Sequence, residues 1–259
     1  MLAQVLTALS ASIPLVAAGT LFASDFSSSS TAPFSLCNYK SPSTGTIANQ
    51  ELHLYFDESG YDGTRDDRGV EICRFNSGTN TNTAQMTKEG WQGFNLYVPA
   101  NGFPSDKSTI IAQQFCPAGC ISWCGTLEIA GNALVVNHRS GCGGATTVTI
   151  LDNVPRNKWH AVVIRMRVSA AYDGAYEVWW DGAKIYSATG INVGFGTWNG
   201  NDGVEEGWYF KNGMYAFDYA DYNDATRTLY FDNIRWYQAD SGESDGYDTV
   251  APTSYSEKF

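Results

Sequence analysis

KWHAVVIRMRVSAAYDGAYEVWWDGAKIY, from Lys158 to Tyr186, decides the fold. Asp173-Gly174 stands between the β-type segments Val162 to Ser169 and Ala175 to Trp180, and Asp181-Gly182 stands between Trp180 and Lys184 to Tyr186. Asp-Gly between strand-forming runs predicts two consecutive hairpins, because such turns need positive φ. Working outward, similar short runs rich in Val, Ile, Tyr, Trp and Thr lie at His53 to Phe56, Phe94 to Val98, Ser108 to Phe115, Thr126 to Ile129 and Ala133 to Asn137. Others follow at Thr146 to Leu151, His160 to Val168, Tyr176 to Trp180, Trp208 to Tyr215 and Thr228 to Tyr237. No stretch shows a helical period and no internal repeat stands out. About ten strands at this spacing predict an all-β antiparallel sandwich or barrel.

The chain has 259 residues, 43% of them apolar and 14% aromatic, enough to bury a large core. Sixteen Lys and Arg against 27 Asp and Glu give a net charge of -11, which excludes a nucleic-acid binder, whose footprint is a basic face. A polyanionic substrate would need local positive contacts. Met1 to Ala23 carries no charged side chain and ends in small residues, so it reads as a secretory signal peptide cleaved after Ala18 or Ala23. Pro14 and the scattered Ser and Thr weigh against a membrane anchor. Residues 24–259 are then one domain, preceded by an extended Ser- and Pro-containing loop as far as about Thr46. Six cysteines in a secreted chain predict disulfides over a metal site. Cys37 is expected to pair with Cys73, while Cys116, Cys120, Cys124 and Cys142 staple one loop.

Three histidines, with no G-x-S-x-G and no H-E-x-x-H, leave little for a Ser/His/Asp triad or a His-rich zinc site. A glycosidase pair of carboxylates is unsupported, since Glu71, Glu128 and Glu177 each stand alone in their segments. The acidic run Asp57, Glu58, Asp62, Asp66 and Asp67 lacks the EF-hand pattern and reads as a solvated loop, with calcium binding the lesser alternative. What clusters on strands is amide, guanidinium and phenol. Alternation over STIIAQQF puts Ile111, Gln113 and Phe115 on one face and Ile110, Ala112 and Gln114 on the other, so one Gln points away from the core. Asn137 and Arg139 share a face. WYFKNGMY sets Trp208, Phe210 and Asn212 against Tyr209 and Lys211, with Gly213 able to bulge the strand and re-aim Tyr215. Trp91, Trp159, Trp179, Trp180 and Trp236 read as core, whereas Trp198 and Trp208 are candidates for stacking on sugar rings.

The order GVEICRFN (Gly69 to Asn76), GFNLYVPA (Gly93 to Ala100), STIIAQQF, KWHAVVIRMRVS, DGAYEVWWDGAKIY, WYFKNGMY and TLYFDNIRWY (Thr228 to Tyr237) resembles the jelly-roll polysaccharide lyases. It is most similar to the fungal glucuronan lyases of polysaccharide lyase family 20, with a more distant likeness to jelly-roll alginate lyases. The likeness runs from about Glu51 to Tyr237 and rests on the joint order of the motifs. It implies a β-jelly roll of two antiparallel sheets with a concave cleft, and β-elimination of an acidic polysaccharide, β-1,4-polyglucuronate or another uronan such as alginate. The uronate carboxylate must be neutralised before C5 gives up its proton, and Gln113 matches the family's strand glutamine for that task. A phenol then takes the proton and protonates the leaving O4, with Tyr222 the favoured and Tyr215 the second candidate. Tyr215 and Lys211 match the tyrosine and lysine of the alginate lyases' Y-F-K-A-G-x-Y strand. Those enzymes carry a His two residues after the strand Gln, where this chain has Phe115, so His53 is the substitute expected. Arg68, Glu71 and Arg74 stand in imperfectly for an Arg-x-Glu-x-Arg strand, and Arg74, Asn137, Arg139, Lys211 and Trp208 are expected to hold the substrate. Asp232 in FDNIR resembles a last-strand Asp that binds structural calcium; no organic cofactor and no membrane partner are implied, and a secreted monomer is expected. A non-catalytic carbohydrate-binding module is the alternative from another class.

Overall fold

The structure is a computed structural model and describes residues 19–74, 86–103, 108–117, 120–194, 207–216, 226–239 and 246–252. Its first strands are β1 (Thr20–Ser24), β2 (Ser35–Cys37), β3 (Thr44–Ala48), β4 (Glu51–Asp57) and β5 (Gly69–Cys73). β6 (Glu89–Tyr97), β7 (Ser108–Cys116), β8 (Ser122–Ala130), β9 (Ala133–His138) and β10 (Thr146–Leu151) follow. β11 (Trp159–Arg167), β12 (Ser169–Trp180), β13 (Ala183–Val193), β14 (Tyr209–Tyr215), β15 (Thr226–Gln238) and a short helix α1 (Gly246–Val250) complete the order. One sheet runs β13-β12-β11-β6-β15-β4-β3, with β1 also on β15, and the other runs β10-β9-β8-β7-β14-β5-β2. All pairings are antiparallel. The two sheets form a jelly-roll sandwich.

Alternation sets the core. In β4 Leu52, Leu54 and Phe56 are fully buried while Glu51, His53, Tyr55 and Asp57 face out, the period-two pattern of a sheet with one wet face. Leu52, Leu54 and Phe56 share one hydrophobic core with Val70, Ile72, Leu127, Ile129 and Phe210 of the opposite sheet. Burying each such side chain contributes about 1.5–3 kcal/mol, and the contiguous cluster is what holds the layers together. The hairpin at Asp181-Gly182 is the predicted one: Trp180 pairs with Ala183, and both turn residues have positive φ, 49° and 82°. The preceding hairpin is not the predicted Asp173-Gly174 turn: both residues lie within β12 without positive φ, and the chain reverses between Arg167 and Ala175 with Tyr172 at φ 57°.

Two stretches differ from the sequence reading. Thr20–Ala23, assigned to the leader, belong to β1, with Phe22 opposite Trp236. The supposed loop before Thr46 contains two short edge strands, β2 and β3, paired to β5 and β4. Neither has the composition of a central strand; the partner's backbone and the Cys37–Cys73 disulfide supply their order. The other disulfides are Cys116–Cys124 and Cys120–Cys142, within the four-cysteine region as expected. The acidic loop closes locally: Asp57 accepts from Ser59, and Lys40 bridges Asp62 and Asp67. Among the described residues no helix is long and apolar enough to cross a membrane.

Candidate active site

The outer face of the second sheet carries a pocket of about 230 Å³ over β7, β14 and the end of β2. Gln113, Phe115, Tyr209, Lys211 and Tyr215 form its strand-borne wall; Asn38, Arg65, Pro117 and Ile121 come from loops. Two bulges aim these side chains. β7 gains a residue opposite β8 between Ile110 and Ala112, so Ile111 and Ala112 both enter the core and Ile110 turns out with Gln113, against strict alternation. β14 shifts register against β7 between Asn212 and Tyr215, which packs Tyr215 on Ile110 and Trp123. Gly213 permits that bulge: its φ is 148°, and a Cβ there would lie 2.4 Å from the Val70 carbonyl oxygen.

Glu71 is the electrostatic centre. It is 1% exposed, accepts hydrogen bonds from Asn38 Nδ2 and Gln113 Nε2, and lies 3.5 Å from Lys211 Nζ. Asn38 reaches it because the Cys37–Cys73 disulfide pins the preceding residue beside β5. Lys211 Nζ also stands 5.0 Å from the centre of the Phe115 ring, which stacks on Tyr209 at 5.1 Å. Arg65 Nη1 donates to the Ile121 carbonyl at 3.2 Å, and its guanidinium lines the same pocket as Tyr215. Burial pushes the Tyr215 phenol above its ordinary pKa; Arg65 and Arg68 pull it down and Glu71 pushes it up. Arg65 and Lys211 against Glu71 leave this pocket locally positive in a chain of net charge -11.

Behind the site the inward faces of the same strands are tied by buried amides. Tyr176 Oη donates to Gln114 Oε1 at 2.6 Å, Gln114 Nε2 to Gln92 Oε1 at 3.0 Å, and Gln92 Nε2 to Asn212 Oδ1 at 2.8 Å. Gln92 Nε2 also donates to the Lys211 carbonyl, fixing the backbone that presents the lysine. So of the two adjacent glutamines, Gln114 holds the core and Gln113 faces the pocket. Buried amide hydrogen bonds of this kind favour one arrangement of the strands, although Asn212 Nδ2 itself has no partner among the described residues.

The structure therefore brings Gln113, Lys211 and Tyr215 together. Tyr222 and Trp198 lie outside the described residues. Asn137 stands two strands away in the same cross-sheet row, where Nδ2 donates to Glu128 Oε1 at 2.8 Å and Oδ1 accepts from Thr147. Arg139 lies at the end of β9 over the Trp123 ring, 3.8 Å away, outside the pocket. Four expectations change. His53 sits on the outer face of the other sheet, 3.1 Å from Glu51 and against Tyr230, because the buried positions of β4 are its neighbours. Arg74 lies over the Phe22 ring at 4.1 Å beyond the end of β5. Trp208 is fully buried, edge-on to Phe210, with Nε1 donating to the Thr87 carbonyl, so it offers no face to a sugar. Trp159 and Trp179, read as core, are only half-buried.

Asp232 is fully buried and its carboxylate accepts from the Asn233 main-chain N–H and Nδ2. Among the described residues no three His, Cys, Asp or Glu side chains gather there. Arg65 and Asn38 in the lining were not assigned to substrate chemistry from the sequence, and Glu71, which lies behind Gln113, Asn38 and Lys211, had signalled only as the acid of the imperfect Arg-x-Glu-x-Arg strand.

A family model described as polysaccharide lyase matches residues 49–235. No curated protein matches the chain by sequence. Among solved structures, an endo-β-1,4-glucuronan lyase from the fungus Trichoderma reesei is similar at a TM-score of 0.65 and 16% identity, over 92% of this chain and 99% of that one. The cellulose-induced protein Cip1 is similar at a TM-score of 0.56 and 15% identity, over 86% and 99% of the two chains. An alginate lyase from Pseudomonas aeruginosa gives 0.52 and 18%, over 77% and 87%. At these identities the likeness is one of fold.

Proposed function

The chain belongs to the polysaccharide lyase family, and we propose that within it the substrate is β-1,4-linked polyglucuronate, cleaved by β-elimination. The proton on C5 leaves, the C4–O4 bond breaks, a C4=C5 double bond forms and O4 departs with a proton as the new chain end. The observation that carries this reading is one pocket holding Gln113, two cations and the Tyr215 phenol, lined by none of the three histidines. In a β-linked glucuronate chair H5 and O4 are gauche, so one phenol can take the proton and return it to the leaving oxygen. Guluronate and galacturonate place the two groups anti and need a second proton carrier across the ring. Among the described residues the pocket offers two phenols, Tyr215 and the Tyr209 that stacks on Phe115, and no histidine, and with Tyr215 as the proton carrier it suits the first geometry.

Gln113 uses one amide hydrogen on Glu71, which orients the group; the second serves the substrate carboxylate. Arg65 and Lys211 supply the positive field in which the carboxylate accepts the developing enolate charge. Gln113→Leu is expected to lower kcat about a hundredfold with the fold intact. The test of the whole reading is the ultraviolet absorbance of the new double bond, followed on glucuronan, polymannuronate, polyguluronate and pectate in parallel. A rise on glucuronan first supports it; turnover confined to polyguluronate or pectate overturns it, and turnover confined to polymannuronate, the C2 epimer, changes the substrate but keeps the chemistry.

The reactive form is the phenolate, and burial raises the Tyr215 pKa, so kcat/KM should climb with pH through the neutral range. Arg65→Leu removes a group that lowers that pKa. A higher pKa leaves less phenolate below it, so the variant should lose activity at mildly alkaline pH and regain part of it at higher pH. An unchanged profile would mean that Arg65 does not act on the base.

Secretion is part of the proposal. Three disulfides fit an oxidising compartment, and cleavage after Ala18 leaves β1 whole, whereas cleavage after Ala23 would strip it from β15.

A further inference from the structure

On the opposite side of the sandwich, the outer face of the first sheet carries a second pocket, of about 390 Å³. Trp159 from β11, Trp179 from β12 and Tyr247 from α1 are half-buried and line it, with Val163 and Asn95 beneath and Asp181 at the hairpin turn beside it. α1 closes one side because Gly93 lets it lie directly on β6; a Cβ there would meet the Val250 carbonyl oxygen at 1.9 Å.

Asn95 is the informative residue. It is 1% exposed, and its Oδ1 accepts from Asn233 Nδ2 at 2.8 Å. The same Asn233 nitrogen donates to Asp232, so turning the Asn95 amide over would set NH2 against NH2; its orientation is determined by the network. That leaves Asn95 Nδ2 buried with no acceptor among the described residues. A buried N–H without a partner is costly and calls for an oxygen from the pocket. Asp181 offers the complementary group: its Oδ2 lies 2.9 Å from His160 Nδ1 and its Oδ1 accepts from the Ala161 N–H, yet the side chain is 44% exposed and keeps lone pairs for a donor.

Aromatic walls, a donor in the floor and an acceptor at the rim match the apolar faces and vicinal hydroxyls of a sugar ring. Charge selects the kind of sugar. Asp181 is the charged residue in the lining, and the cations nearest Trp179 and Trp91, Lys184 and Arg165, are held by Glu177 and Glu89. A uronate would meet a carboxylate here without a free counter-charge among the described residues, and a quaternary ammonium would leave the Asn95 donor unmet. We propose that this pocket binds a neutral pyranose unit, so that the enzyme is held on an uncharged polysaccharide while the opposite face cleaves an acidic one.

The test is isothermal titration of the whole protein with cello-, xylo- and manno-oligosaccharides, oligoglucuronate and choline. One neutral series should bind, and both Trp159→Ala and Asn95→Leu should weaken it about tenfold, the effect of losing one stacking face or one hydrogen bond. Rates on soluble uronan should change less than about twofold in both, since the sites are far apart, and Tyr215→Phe should still bind the neutral sugar. No neutral binding by folded protein overturns the proposal. So does neutral binding that survives both substitutions, or displacement of the neutral sugar by oligoglucuronate or choline.

Discussion

Tyr215→Phe is expected to reduce kcat on glucuronan about ten-thousandfold, the upper end for losing one group that acts as both base and acid. The substitution removes an oxygen and little else. The ring packs on Ile110 and Trp123 and is 6% exposed, so the phenyl replacement keeps its contacts and the fold should stand. Arg65, which lowers the phenol's pKa, keeps its hydrogen bond to the Ile121 carbonyl. Because the lost interaction belongs to the transition state, KM should hardly move while kcat falls. Tyr209→Phe is the control: that ring stacks on Phe115 and its hydroxyl has no part in the scheme. Initial rates from the absorbance of the unsaturated product decide the matter. A Tyr215→Phe enzyme within tenfold of the parent moves the base elsewhere, with Tyr222 next to be replaced.

How much of this was readable in the sequence depended on distance along the chain. Ten segments with strong β patterning are all strands, because alternation and Asp-Gly turns are local signals. β1 was hidden since an apolar, uncharged run reads equally as leader or as strand. β2 and β3 were hidden since short edge strands take their order from a partner. The faces of β14 were legible, and the consequence that Trp208 points inward was already implied by its sharing a face with Phe210 and Asn212. β7 was not: the bulge at Ile111 changes parity between Ile110 and Gln113, and nothing in STIIAQQF announces it. Arg65, Asn38 and Glu71 meet Gln113 and Lys211 only after three separate pieces of chain close on one another. Arg74 and His53 failed as site residues for the same reason: a residue's type was visible, while its face and neighbours were set by pairing far away in sequence.

Glu71→Leu should cost about 3–5 kcal/mol of stability, the range for removing one member of a buried ion pair. Lys211 would be left at 5% exposure with no carboxylate, facing Phe115, and Asn38 and Gln113 would each lose an acceptor. Most of that loss comes from the stranded charge, which gives the prediction its second half. Glu71→Leu/Lys211→Met replaces both charges by apolar groups of similar length and should recover most of the stability, since an intact buried pair is worth little more than good packing. Denaturant midpoints for the two single variants and the double variant close the cycle. Activity should not recover with stability: without Glu71 the Gln113 amide is no longer aimed, and without Lys211 the enolate loses a cation. A double variant as unstable as Glu71→Leu would show instead that the carboxylate is there to hold Asn38 and Gln113. A double variant that regains both stability and turnover would remove Glu71 and Lys211 from the mechanism, leaving Gln113 and Arg65 to neutralise the substrate.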